Sequence, residues 1–250
     1  MERENFGLRS VRGPVIGRGG IKMPVSFDTG VQNRPLTHIF GELPAPLDPS
    51  LWSTYFDDFH TFTAALWTAT ETGAAGTITN PDGSGGLLLL TTDALDNDNE
   101  FLQKIQEGFL FTAGKPLIFG ARFKVAKATQ SDFVIGLQIT DTSPLAVSDG
   151  IYFQKDDGDA LLDFHVTKDA ASTDATGIHT VVADTYLTVE FAYDGGARIY
   201  YGVNGVVKGF TVITNAPDDE ALTISLGFQN GEAGATTMEC DYVLASQYRG

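Results

Sequence analysis

The chain is predicted to be all-β, an antiparallel two-sheet sandwich preceded by an extended N-terminal arm. The first observation is the alternation that runs through residues 117–166. Phe119, Ala121, Phe123 and Val125 point one way, while Gly120, Arg122, Lys124 and Ala126 point the other. The same period returns at Phe133, Ile135, Leu137 and Ile139, and again at Leu162, Phe164 and Val166. Successive side chains leave a strand on opposite faces, so this pattern describes strands with one buried and one wet face. The second observation is turn chemistry at hairpin-like spacing, with Asn204-Gly205 the strongest such signal. The third is composition: 17 Phe and 28 Gly in 250 residues, with no long helical period. A chain of this length can bury a sizeable single core.

Residues 1–50 read as an arm and residues 51–250 as the sandwich. Six prolines (Pro14, Pro24, Pro35, Pro44, Pro46 and Pro49) and seven glycines break helix and ladder alike across the arm. Phe6, Leu8, Val15, Ile16, Ile21, Met23, Val25, Phe27, Ile39 and Phe40 are spread through it, more apolar residues than a solvated linker carries. The reading is a segment ordered by lying on its own domain or on a neighbouring subunit; the plain alternative is a frayed terminus. Charge separates the two parts. Residues 1–40 carry six basic and three acidic groups, and since the whole chain is at −16, the remaining 210 residues carry −19. Such an acidic body argues against nucleic acid as a partner, because phosphate binding depends on Lys and Arg.

Along the sandwich, residues 52–62 open the compact region with Trp52, Tyr55, Phe56, Phe59 and Phe62. Short strands are expected at Trp67–Thr70 and Gly76–Thr79, then a turn at residues 80–86 and a buried strand over Leu87–Thr92. Residues 101–111 are ambiguous: Phe101, Ile105 and Phe109 fall at helical spacing, but Gly108 weakens a helix. Ile151-Tyr152-Phe153 is a strand, Lys155–Asp159 its polar tip. Further strands follow at Leu187–Tyr193, Ile199–Val203, Leu222–Phe228 and Met238–Leu244, about a dozen in all. Cys240 is the only cysteine, which excludes an internal disulfide and a Cys-based zinc site and reads as a buried thiol. No secretory signal is visible, and the longest apolar run, Leu87–Leu90, is far too short to span a bilayer. Synthesis in the cytoplasm is therefore expected, with no membrane partner.

Several segments carry a family resemblance. These are Asp57-Asp58-Phe59, Phe119–Val125, Phe133–Leu137, Asp149–Phe153, Leu187–Gly195, Ile199–Gly205 and the closing Met238–Val243. In this order, over about four fifths of the chain, they resemble the concanavalin A-like lectin/glucanase jelly roll, including laminin-G-like modules. That resemblance implies a jelly-roll sandwich and little about ligand, since function lives in sites grafted on folds. The mildly basic, Gly/Pro-punctuated arm ahead of an acidic, disulfide-free sandwich also looks like a tailed-phage capsid decoration (cement) protein.

Glucanases of this jelly roll place their carboxylates on one strand as Glu-x-Asp-x-x-Glu, and no such hexamer occurs here. Glu239 and Asp241 are two same-side acids on the closing strand, but Leu244 stands where the third would be, so a solvated outer face is the simpler reading. Calcium is the candidate cofactor, at Asp93, Asp96, Asp98 and Glu100, where carboxylates and amides are dense; Lys155–Asp159 is a weaker candidate. Otherwise both are acidic turns and no cofactor is expected. His38, His60, His165 and His179 lie at no metal or triad spacing, and neither a Gly-x-Ser-x-Gly elbow nor a P-loop is present. Trp52, Trp67, Tyr152, Tyr200 and Tyr201 could stack on sugars, with Tyr200 the one placed outward by alternation and core packing the alternative for the rest.

The expectation from sequence is thus a virion structural protein that is not an enzyme. It would decorate the outer capsid shell as a homo-oligomer, such as a trimer, against the major capsid protein and neighbouring copies of itself. Arg3, Phe6, Arg9, Arg12, Arg18, Lys22, Phe27 and Arg34 of the arm are the expected partner-binding residues. The alternative is a carbohydrate-binding module that uses loops and calcium at one end of the sandwich, with an active glycosidase third.

Overall fold

The structure is a computed structural model and describes residues 49–73 and 76–250. Fifteen strands in two antiparallel sheets account for nearly all of its regular structure. Sheet I runs β13 (Val206–Val212), β12 (Arg198–Val203), β11 (Leu187–Tyr193), β6 (Leu117–Val125), β15 (Thr237–Tyr248), β4 (Leu88–Thr91), β3 (Thr77–Thr79), and β1 (Trp52–Asp57) also pairs with β15. Sheet II runs β10 (Ala171–Thr180), β9 (Leu161–Lys168), β8 (Gly150–Lys155), β7 (Ser131–Gln138), β14 (Thr223–Asn230), β5 (Asn99–Lys104) and β2 (Trp67–Thr72). The expected jelly-roll sandwich is observed.

The alternating residues do what their period requires. Phe119, Phe123, Phe133, Phe153, Phe164, Phe191 and Phe228 are all fully buried between the sheets. Phe123 of sheet I meets Phe133 of sheet II edge to face at 5.2 Å, and Phe164 of sheet II meets Tyr201 of sheet I at 4.9 Å. Each such ring contributes about 1.5–3 kcal/mol by leaving water. Cys240 is buried in the same core, and burial drives its thiol pKa far upward, which leaves an inert thiol.

Turn chemistry sets the register at the β12–β13 hairpin. Asn204 (φ 53°) and Gly205 (φ 75°) both take the left-handed conformation that a two-residue turn of this hand needs. The ambiguous segment is not a helix: β5 ends at Lys104, and Phe109 makes an isolated bridge to Leu222. Strand β10 has no counterpart in the sequence reading. It is an edge strand with little buried surface and an irregularity between Ala175 and His179, so no apolar alternation announces it. Among the described residues, no helix is long and apolar enough to cross a membrane.

Candidate functional site

The outer face of sheet II brings polar side chains of several strands side by side. Register alone places them. Gly136, Tyr152, His165 and Asp174 lie abreast across β7, β8, β9 and β10, and Val134, Gln154 and Asp163 form the next row. A third row carries Thr72, Asn99, Gln229 and Asp132 across β2, β5, β14 and β7. Opposed residues in adjacent strands share a face, so these rows form one surface.

Its floor is apolar. Phe101, Val134, Val147 and Tyr152 make a small buried cluster outside the main core, with Leu145 and Ile139 packed onto it. The segment between β7 and β8 folds back to cover this end. The Gln103 amide donates to Ile139 O (3.0 Å) and its oxygen accepts from Asp141 N (2.9 Å), while Gln138 donates to Pro144 O (2.9 Å). Gly136 is required beneath Tyr152, because a Cβ there would come within 2.5 Å of the Tyr152 backbone.

The open part centres on an aromatic pair. The Tyr152 and His165 rings stack at 5.2 Å, 21° from parallel. His165 Nδ1 lies 2.7 Å from Asp174 Oδ1, and the Ser172 hydroxyl donates to the same carboxylate oxygen. The carboxylate fixes the orientation of the ring. Burial, chiefly, raises the Tyr152 phenol above its ordinary pKa. Around this pair, Gln154 donates to Asp156 Oδ1 (2.7 Å), Asp163 Oδ1 accepts from Gly177 N (2.6 Å) and Asp132 Oδ1 accepts from Asp157 N (2.7 Å). Burial pushes the Asp132 carboxyl upward, against the pull of the Asp157 N–H. Asn99 Oδ1 and Gln154 Oε1 are buried acceptors that no donor among the described residues serves. The arrangement can hold hydroxyl-rich ligands through amide, carboxylate and imidazole groups beside an aromatic surface.

Sheet I presents a different outer face. Arg122 pairs with Asp241, Lys124 pairs with Glu239 (3.1 Å), and Tyr186 donates to Glu239. The Arg122 and Lys124 charges also sit over the Tyr186 ring, at 3.8 and 4.9 Å. Glu239 and Asp241 are thus engaged by cations, and both side chains are only 18% exposed. The sequence-nominated aromatics do not gather into one platform. Trp67 and Tyr201 join the core, Trp52 packs on Tyr248, Tyr200 faces out of sheet I beside Phe210, and Tyr152 alone belongs to the sheet II face.

The calcium expectation needs correction. Among the described residues, no group of three or more His, Cys, Asp or Glu side chains is arranged to hold a metal. Asp93 turns back on its own loop, accepting from Ala94 N (2.7 Å), and Asp96 is exposed, whereas Asp98 and Glu100 are buried. The four carboxylates do not converge: the Asp93 N–H donates to Asp98 Oδ2 (2.5 Å), so the loop meets Asp98 through its backbone and not through the Asp93 and Asp96 side chains. At Lys155–Asp159 the charge is already met: the Lys155 ammonium is buried there, donating to Ala128 O (2.9 Å) and Asp159 O (3.2 Å). Arg3, Phe6, Arg9, Arg12, Arg18, Lys22, Phe27 and Arg34 lie outside the described residues.

No family model matches the chain, and no curated protein matches it. Solved structures do, at the level of fold. An endo-1,3-β-glucanase from Streptomyces sioyaensis superposes with a TM-score of 0.57 at 14% identity, covering 82% of this chain and 99% of that one. The carbohydrate recognition domain of Emp47p gives 0.57 at 14%, covering 80% and 98%. An endo-β-1,4-glucuronan lyase from the fungus Trichoderma reesei gives 0.54 at 12%, covering 76% and 94%. The protein therefore has the concanavalin A-like lectin/glucanase fold. The resemblance to capsid decoration proteins gains no support from these comparisons. The expectation that the chain is not an enzyme is also corrected, because this sandwich frames both a glucanase and a lyase. A missing Glu-x-Asp-x-x-Glu hexamer excludes one carboxylate arrangement and not catalysis at large.

Proposed function

We propose that the protein binds carbohydrate on the outer face of sheet II. The observation that carries this reading is the Tyr152–His165 stack set among Gln154, Asp163, Asp132 and Asp174 on one sheet face. Sugars offer hydroxyls to such amides and carboxylates and C–H faces to such rings. Lectin-type recognition domains and glucanases among the structural neighbours support the choice of ligand class.

The test is isothermal titration of the full chain with neutral and uronate-containing β-glycan oligosaccharides, followed by an assay for chain cleavage on any that binds. His165→Ala and Asp163→Ala are expected to weaken binding about tenfold, the scale of one lost hydrogen bond to a charged group. Asp241→Asn, on the ion-paired face of sheet I, serves as control and leaves affinity unchanged. Absence of binding to every glycan, or equal weakening by the control, overturns the assignment.

A further inference from the structure

Sheet I buries side chains on the side that faces away from the core. Thr54, Ser246, Ile118, Ala192, Tyr200 and Phe210 form one row across β1, β15, β6, β11, β12 and β13. Their chain neighbours Ala245, Phe119 and Phe191 belong to the inter-sheet core, so this row points outward. Yet Ile118 is 4% exposed, and Ser246 and Ala192 are buried beside it. Trp52, two residues before Thr54 and on the same side of β1, is also 4% exposed. Neighbours within the sheet do not account for Ile118. Ser246 and Ala192 flank it across the ladders, and Pro116 and Gly120 flank it along the chain, all smaller than an isoleucine. Among the described residues no element is layered on this side either: the short helical turns Ala64–Leu66 and Pro144–Ala146 contact β2 and β7, both in sheet II.

We propose that the outer face of sheet I is a docking surface for residues 1–48 of the same chain, which cross it from Trp52 on β1 toward Phe210 on β13. The point of entry suits this occupant. Arg249 N donates to Leu51 O (2.7 Å), which ties the residue before Trp52 to the margin of the face. The length suffices many times over: six strands about 4.8 Å apart span about 24 Å, the reach of roughly eight extended residues. The chemistry matches as well. Phe6, Ile21, Val25 and Phe27 supply apolar side chains for the covered centre, and Phe56, Phe210 and Val212 continue the apolar surface, exposed, at its two margins. Charge decides between this segment and a second copy. Residues 1–40 carry +3 and the rest of the chain −19, so the segment is drawn to the body, whereas another acidic body is repelled. The surface lies on the opposite sheet from the glycan face and does not depend on it.

The experiment uses the full chain. Limited trypsin digestion, read by mass spectrometry, follows cleavage after Arg9, Arg12, Arg18 and Lys22 against the same bonds in a synthetic peptide of residues 1–40, with sedimentation velocity in parallel. A monomer is expected, its four bonds cut about tenfold or more slowly than those of the peptide, because a docked segment must open before it is cleaved. Ile118→Lys should bring the rate up toward that of the peptide while unfolding stays cooperative. Asp218→Asn, whose partner Lys168 belongs to sheet II, should leave the rate unchanged. Bonds cut as fast as in the peptide, or protection undiminished in Ile118→Lys, overturn the proposal. So does a dimer that Ile118→Lys dissociates, which assigns the face to a second copy. If Ile118→Lys fails to fold, Ala192→Lys in the same row and the ratio of wild-type to peptide rates decide the matter.

Discussion

Replacing Lys155 with Met tests what holds the 156–160 loop at the end of the sandwich. Lys155 is the last residue of β8; it pairs with Phe133 on the core side and its side chain is fully buried. Its ammonium donates to Ala128 O of the β6–β7 connection and to Asp159 O of the β8–β9 connection, with Asp132, Asp157, Asp159 and Asp156 around it. Met keeps most of the apolar stem and removes the charge. Hydrogen bonds to a charged group contribute about 1.5–3 kcal/mol each, and a carbonyl left buried without a donor costs about 1–3 kcal/mol. Relief of the ammonium's own desolvation offsets part of that loss, leaving a net destabilisation of about 2–4 kcal/mol. For a domain of this size the shift corresponds to a Tm lower by roughly 5–15 °C, read by circular dichroism and checked by guanidinium unfolding. The pH dependence carries a sign. Burial lowers the Lys155 pKa, so as pH rises the folded chain releases this proton before the unfolded chain does. Wild-type stability therefore gains between that lowered pKa and the ordinary lysine value of about 10.4, and the gap to the Met variant widens there. A Met variant as stable as wild type at neutral pH would refute the reasoning, because desolvation would then outweigh both hydrogen bonds.

Two further substitutions separate core from surface. Phe164→Ala removes a fully buried ring that lies 4.9 Å from Phe153 and from Tyr201 and 5.9 Å from Phe191; a loss of about 3–5 kcal/mol in denaturant unfolding is expected, and a loss under about 1 kcal/mol contradicts the inter-sheet packing. Asp241→Asn breaks the pair with Arg122, whose side chain is 39% exposed. Because solvent screens such pairs, stability should move by less than about 1 kcal/mol, measured by the same unfolding curves.

The sandwich was legible because its buried strands alternate. Leu117–Val125 and Ser131–Gln138 each place an apolar residue every second position, and the register follows from that pattern. The candidate site was less so. His165 reads from sequence as a lone histidine, and nothing local links it to Asp174, nine residues on, because the link is the β9–β10 register and β10 carries no apolar period. Tyr152 could be named as an aromatic but not placed: it belongs to a strand with buried residues on both faces, so alternation does not say which way it points. The acids at 93–100 were visible as a cluster, yet which of them turn inward depends on where β5 begins, at Asn99, and the unbroken run of Asp and Asn over 96–99 hides that boundary although Asn97 (φ 61°) makes the turn before it.

Satisfaction of polar groups, more than exposure, separates the two outer faces. On sheet I, Arg122 and Lys124 meet Asp241 and Glu239, Thr54 meets Ser246, and the Tyr186 ring lies against both cations. A ligand arriving there would have to break existing pairs before making new ones, and the exchange would gain little. On sheet II, Asn99, Gln138 and Gln154 each retain a buried acceptor without a donor among the described residues, and burial raises the Asp132 carboxyl pKa. A hydroxyl donor that reaches one of these oxygens adds a hydrogen bond that the folded chain does not already make.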